Sequence, residues 1–212
     1  MNLHLHPPHD TWQRILQRPT FETQQLEATV SNILKDIKMR GDEAVRDYTE
    51  KFDKVNLENF RVEKAEFEEA RHSVSLELKA ALLTVKSNIT RFHEAQRMET
   101  QAIETMPGVR CWRKSVAIDK VGLYIPGGTA PLFSTVLMLG IPAAIAGCRE
   151  VVLCTPPQAD GKVNPVILYA AELVGIKSVF KIGGVQAVGA MAYGTASVPR
   201  VYKIFGPGNQ YV

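Results

Sequence analysis

The stretch VGLYIPGGTAP, residues 121–131, decides the fold class, because it joins an apolar, partly β-branched run to a glycine turn. Such a run is typical of a buried parallel strand. Two later stretches repeat the arrangement, IGGVQA at residues 182–187 and FGPGN at residues 205–209. In an open α/β sheet, ligands bind where loops leave the carboxyl ends of the strands. The three glycine turns therefore predict one binding crevice along one edge of a sheet.

The segments between these turns alternate between strand and helix patterns. Helical patterns cover residues 134–146, 163–173 and 185–193, and Gly175 stands where a glycine commonly ends a helix. The strand-like runs begin near Val121, Val151, Val179 and Val201. The order β-α-β-α-β-α-β predicts a parallel sheet with right-handed crossovers. The predicted fold class is therefore α/β, with a Rossmann-like parallel sheet domain.

The residues that precede this domain have helical periodicity. Gly41 suits the end of one helix, and Asp42 is predicted to cap the next. Residues 110–120 change character and are predicted to form a strand or a connector. A stripe with steps of four and three residues predicts a packed helix face, formed by Leu78, Leu82, Val85, Ile89 and Phe92. The predicted domains are an N-terminal tail at 1–20, a mainly helical segment at 21–120 and the Rossmann-like domain at 121–212.

Composition excludes several classes of function. The 212 residues are 45% hydrophobic with a net charge of +3, and no basic tract suggests nucleic-acid binding. The N-terminus has no apolar signal region, and no apolar run reaches the length of a membrane span, which predicts a soluble, cytoplasmic protein. Three cysteines without a CxxC pair predict free, mostly buried thiols rather than a zinc cluster; they are Cys111, Cys148 and Cys154.

Three polar residues beside the glycine turns are candidate ligand contacts, namely Tyr124, Gln186 and Asn209. Each also has an ordinary structural explanation: a core aromatic, a first-turn residue facing water, and a turn asparagine. The six glycines of the turns allow the backbone to approach a phosphate closely; they are Gly127, Gly128, Gly183, Gly184, Gly206 and Gly208.

The sequence lacks the usual signals for dinucleotide binding and for catalysis. The GxGxxG fingerprint is missing. No histidine or glutamate stands in or beside the three turns, so no general base is predicted there. His4, His6 and His9 are predicted to belong to a flexible tail. The residues alone predict a cofactor or anion site, with no catalytic residue and no metal ligand within this chain.

Longer stretches resemble the histidinol dehydrogenase family. They include residues 121–138, the GGVQA and KIFGPGN stretches, RGDEA at residues 40–44, residues 48–54 and PGVRC at residues 107–111. The resemblance implies a zinc enzyme of histidine biosynthesis that oxidises L-histidinol to L-histidine with two NAD molecules. It implies a homodimer of chains with two α/β domains, the first of which is interrupted by the second. It also implies that Tyr124, Gln186 and Asn209 contact NAD.

The resemblance implies a limit as well. The family's catalytic Glu-His pair and its zinc ligands lie past the position that matches Val212. We therefore expect an N-terminal half that is inactive alone, with an incomplete Rossmann-like sheet and apolar surface that promotes self-association. Two alternatives stay open. One is a stand-alone module that binds a nucleotide or anion without catalysis. The other is a dehydrogenase with a catalytic cysteine, for which Cys154 is the nearest candidate.

Overall fold

The computed structural model describes residues 3–17, 23–128 and 131–207. The first part of the chain is helical, as its periodicity predicts. A short 3-10 turn at His9–Thr11 precedes five helices: α1 (Trp12–Leu16), α2 (Thr23–Arg40), α3 (Asp42–Asp53), α4 (Lys64–Ser73) and α5 (Leu76–Glu94). An antiparallel hairpin follows, formed by β1 (Ala102–Met106) and β2 (Val109–Trp112). All residues of both hairpin strands are exposed.

The remaining residues form the predicted α/β unit. Its elements are β3 (Lys120–Tyr124), α6 (Phe133–Ala146), β4 (Glu150–Thr155), α7 (Pro165–Leu173), β5 (Ser178–Lys181), α8 (Gly184–Tyr193) and β6 (Lys203–Phe205). The four strands pair in parallel in the order β5-β4-β3-β6. The α/β Rossmann-like class is therefore confirmed. Gly175, with a φ of +82°, directly follows the last turn of α7, as predicted.

The helical segment and the sheet share two hydrophobic cores. Successive residues of a strand face opposite sides, so each strand contributes to both cores. Leu123, Leu153 and Val179 pack on the side of α4, α5, α6 and α7. Tyr124, Cys154 and Phe180 pack on the side of α2, α3 and α8. The division of the chain into domains stays a prediction.

Residues 60–62 extend the sheet beyond β5. The Val62 N–H donates to the Val179 carbonyl at 2.9 Å, and the Lys181 N–H donates to the Phe60 carbonyl at 2.7 Å. The pairing is antiparallel and centres on Arg61 and Phe180. Sequence periodicity did not predict this contribution, because three residues are too few to show an alternating pattern.

Two local predictions for the helical segment were wrong. Asp42 does not cap α3, because the helix begins at Asp42 itself, with Gly41 as the preceding residue. The Asp42 carboxylate instead accepts a hydrogen bond from the Ser197 hydroxyl at 2.6 Å. In the predicted stripe of α5, Leu82 is buried, but Val85 and Phe92 are exposed. α5 packs against α6, and the core there covers Leu82 fully and Leu78 and Ile89 in part.

A groove beside β6 exposes apolar side chains, as expected for this segment. Its lining includes Met98, Val116, Ile118, Met138 and Phe205. Self-association through this surface stays a prediction. Among the described helices, none is both long and apolar enough to cross a membrane.

Candidate functional site

All four parallel strands end at the same edge of the sheet, and the glycine turns leave from that edge. β6 pairs with β3 on the side opposite β4, so the winding of the chain reverses between β3 and β6. In open α/β sheets, a reversal of this kind opens a crevice at the carboxyl edge, where ligands bind. The candidate site lies at this edge, on the side covered by α3 and α8.

The glycine turns are packed tightly against their neighbours. A Cβ atom on Gly127 would lie 2.7 Å from Cγ of Pro156, and one on Gly183 would lie 2.6 Å from Cβ of the same ring. A Cβ atom on Gly206 would collide with the carbonyl oxygen of Tyr124. The loop after β4 therefore inserts the Pro156 ring between the first two turns, and only glycine allows this approach.

We expect Gly183→Ala to reduce the free energy of unfolding by about 1–3 kcal/mol, because a rigid proline ring must move to admit the methyl group. Urea unfolding followed by circular dichroism measures the change. Pro156→Gly removes the whole obstructing ring, including the Cβ atom that lies 2.6 Å from the added methyl group, so the double variant should lose less than the sum of the two single losses. Strict additivity of the two losses would contradict the close packing of the Pro156 ring against Gly183.

Tyr124, the last residue of β3, is buried, with 3% of its surface exposed. Its hydroxyl oxygen accepts a hydrogen bond from the Gly184 N–H at 2.9 Å. Gly184 has a φ of +55°, which few other residues adopt without strain. Burial raises the pKa of the Tyr124 phenol above its usual value, so the hydroxyl keeps its proton at neutral pH. Because the oxygen already accepts a hydrogen bond, the proton is left to donate to another group.

Gln186, in the first turn of α8, does not face water, so that explanation was wrong. The side chain is 1% exposed and turns toward α3, where Nε2 donates to Oδ2 of Asp53 at 3.2 Å. Its oxygen Oε1 is buried and accepts no hydrogen bond from any described residue. Buried polar atoms nearly always have a partner, so an unpaired one at a crevice indicates a missing ligand or water.

Asp53 is a site residue that the sequence patterns did not predict. It is the last residue of α3, lies 133 positions before Gln186 and is half-buried. Burial raises the pKa of the Asp53 carboxyl to about 6, and the hydrogen bond from Gln186 offsets part of that rise. No local pattern marked this residue. The only signal was its place within residues 48–54, one of the stretches that resemble the family.

The other candidates are placed as follows. Asn209 and Gly208 lie outside the described residues. Gly128 lies at the open side of its turn, where an added Cβ would meet no atom within 4 Å. Of the cysteines, only Cys154 is fully buried, while Cys148 is half-buried and Cys111 is exposed, so the expectation of mostly buried thiols was wrong. Cys154 packs in the core beneath the edge, where burial raises the pKa of its thiol.

The described side chains do not provide a metal centre. Within residues 3–17, 23–128 and 131–207, no three histidine, cysteine, aspartate or glutamate side chains gather as metal ligands would. A catalytic zinc ion needs about three such ligands. The zinc ion that the family resemblance implies therefore does not fit the described part of this chain, and no chemical step is assigned to a metal here.

Comparisons with known proteins agree on one family. The model of the family described as histidinol dehydrogenase matches residues 16–212. A histidinol dehydrogenase of Bacteroides fragilis is 59% identical over the whole chain, which covers 50% of that protein. One of Xanthomonas euvesicatoria is 52% identical over 93% of the chain and 46% of that protein. The crystal structure of histidinol dehydrogenase from Elizabethkingia anophelis aligns with a TM-score of 0.93 at 50% identity, covering 97% of this chain and 48% of that one.

Proposed function

Because the chain belongs to the histidinol dehydrogenase family, an oxidoreductase family, we propose that its glycine-turn edge binds NAD. The chain spans about half the length of the curated relatives it matches. We therefore propose the oxidation of L-histidinol to L-histidine, the zinc ion, the homodimer and the cytoplasmic location for the whole protein. The proposed contribution of this chain is to hold the cofactor.

The observation that carries this proposal is the unpaired, buried oxygen of Gln186. It lies at the carboxyl edge of a parallel sheet, beside a glycine turn and the start of α8. NAD offers hydroxyl and amide hydrogens that such an oxygen can accept, and phosphates suit the amino-terminal end of a helix. Tyr124 adds a phenolic hydrogen as a donor. Asn209 is proposed as a third contact from its motif alone.

Bound NAD would supply the hydride acceptor. The proposed roles of Tyr124, Gln186 and Asp53 are to bind and orient it. Among the described residues on the α3 and α8 side of this edge, Asp53 is the carboxylate that contacts Gln186, and its hydrogen bond goes to Gln186 rather than to a nucleophile or water-activating group. We therefore expect the 212-residue chain to bind NAD and to form no NADH from L-histidinol.

Isothermal titration with NAD and absorbance at 340 nm with L-histidinol test the two parts separately. Gln186→Leu keeps the size of the side chain but removes both polar atoms, so we expect the Kd for NAD to rise about tenfold or more. Gln101→Leu, at an exposed position before β1, is the matched control and should leave the Kd unchanged.

An unchanged Kd in Gln186→Leu would contradict a contact between Gln186 and NAD. Absence of saturable NAD binding by the unaltered chain would contradict cofactor binding by this half. Binding of NAD and of other nucleotides with equal affinity would favour the alternative of a general nucleotide module. NADH formation by the 212-residue chain would show that the chemistry needs no further residues.

A further inference from the structure

The hydrogen bond between Asp53 and Gln186 has a defined direction. An ionised carboxylate can only accept hydrogen bonds, so the amide group of Gln186 must turn its NH₂ toward Asp53. The distance from Nε2 to Oδ2 is 3.2 Å, within the range of such a bond. The amide oxygen Oε1 then points away from Asp53, to the position where it is buried without a partner.

The surroundings of Asp53 stabilise its negative charge poorly. It is half-buried at the carboxyl end of α3, where the helix dipole disfavours negative charge. In the part of the chain that the structure describes, no lysine, arginine or histidine forms an ion pair with it. Charged groups that are kept in such an unfavourable environment are typical of functional sites.

The surrounding turn places the carboxylate at the crevice. Oδ1 of Asp53 lies 3.3 Å from the position that a Cβ atom of Gly183 would occupy, so the absence of a side chain on Gly183 lets the carboxylate reach the turn. A Cβ atom on Gly184 would lie 3.0 Å from Oε1 of Gln186. Both members of the pair therefore contact the glycine turn after β5.

We propose that Asp53 is a positioning residue, which fixes the amide of Gln186 so that Oε1 is presented to a hydroxyl or amide hydrogen of the dinucleotide. This inference rests on the proposed NAD site and adds a residue to it. With Tyr124 as hydrogen-bond donor and Gln186 as hydrogen-bond acceptor, the edge has a fixed polarity, that is, a fixed arrangement of one donor and one acceptor. The polarity depends on the ionised form of Asp53, because a protonated carboxyl donates a hydrogen bond and no longer dictates the orientation of the amide.

Asp53 is the group in this cluster that we expect to titrate near pH 6, because its neighbours do not titrate there. Gln186 on α8 does not titrate. Tyr124 on β3 interacts electrostatically with Asp53, and Cys154 on β4 lies next to Tyr124. Burial raises the pKa values of Tyr124 and Cys154, so both stay neutral up to pH 8. Since the pKa of Asp53 is about 6, NAD affinity should fall as the pH drops through 6.

NAD titrations of the 212-residue chain at pH 7.5 and pH 5.0 test the proposal. We expect the Kd of the unaltered chain to be at least threefold lower at pH 7.5 than at pH 5.0. Asp53→Asn should raise the Kd at pH 7.5 three- to tenfold and abolish the pH dependence. Glu50→Gln removes the same charge from an exposed position one turn earlier in α3 and should behave like the unaltered chain.

A second measurement needs no ligand. In ¹⁵N-labelled chain, the side-chain NH₂ resonances of Gln186, assigned by their loss in Gln186→Leu, should shift with a midpoint near pH 6 and stay constant in Asp53→Asn. Resonances that do not move between pH 5 and pH 7.5 would overturn the role of Asp53, whatever NAD does. If the unaltered chain binds no NAD, the proposed function fails and the inference fails with it. If it binds NAD, and Asp53→Asn binds equally well at both pH values, only the inference fails.

Discussion

Phe180→Ala is expected to reduce the free energy of unfolding by about 3–5 kcal/mol, the usual loss when a buried phenylalanine is truncated. Phe180 is 1% exposed at the centre of β5. Since small proteins are stable by about 5–15 kcal/mol, the loss removes a large share of the total. The prediction is checked by the urea midpoint at constant m-value, followed by circular dichroism.

The size of this effect depends on a core that both parts of the chain build. Phe180 packs in one cluster with side chains of the helical segment, among them Ile37, Val45 and Phe60, and with side chains of the α/β unit, among them Tyr124 and Ile182. A cavity at this position weakens α2, α3 and α8 together with the sheet. We therefore expect the helical segment and the sheet of the variant to unfold in one transition at a lower urea concentration.

Phe92→Ala is the matched control, because Phe92 is 65% exposed on α5. Its truncation should change the free energy of unfolding by no more than about 0.5 kcal/mol. Equal losses in the two variants would contradict the burial of Phe180. Two separate transitions in the unaltered chain would contradict a shared core.

The contrast between these two phenylalanines shows what periodicity predicts and what it leaves out. The runs at Val121, Val151 and Val179 predicted buried strands correctly, because an apolar, partly β-branched run between turns has few other stable arrangements. Phe92 belongs to an equally regular stripe, yet it is exposed. Periodicity identifies the apolar face of a helix, whereas burial depends on how far the neighbouring element extends.

The candidate site follows the same division between local and long-range information. The glycine turns located the edge, because a turn after a strand is a local feature. The partner of Gln186 was not predictable, because Asp53 comes from a helix 133 positions earlier and meets α8 only when both pack on the sheet. The sequence suggested that no acidic group serves this edge, whereas the fold brings one there from the helical segment.

Asp53→Asn is expected to stabilise the chain at pH 7.5 by about 2 kcal/mol and to leave its stability at pH 4 nearly unchanged. Folding raises the pKa of Asp53 from 3.8 to about 6. Between pH 3.8 and pH 6, Asp53 therefore carries a proton in the folded state and has lost it in the unfolded state. Stability contributed by this group is complete below pH 3.8 and is lost as the pH rises to 6. The full difference corresponds to about 3 kcal/mol, and partial exposure of the side chain reduces it.

The sign of this change separates a functional carboxylate from a structural one. The asparagine amide can accept a hydrogen bond from Gln186 or donate one to it. The variant therefore loses the desolvated charge without losing a bond, but it no longer fixes the orientation of the Gln186 amide. The free energy of unfolding of the unaltered chain and of Asp53→Asn is measured in urea at several pH values. In the difference between the two chains, the contributions of all other titrating groups cancel. The difference should grow from about zero at pH 4 to its maximum near pH 7, while Glu50→Gln gives a flat difference.

A variant that is less stable than the unaltered chain by the same amount at pH 4 and pH 7.5 would assign Asp53 to the architecture of α3. A gain in stability together with weaker NAD binding would instead mean that the charge of Asp53 is kept at a cost to stability because it serves the ligand.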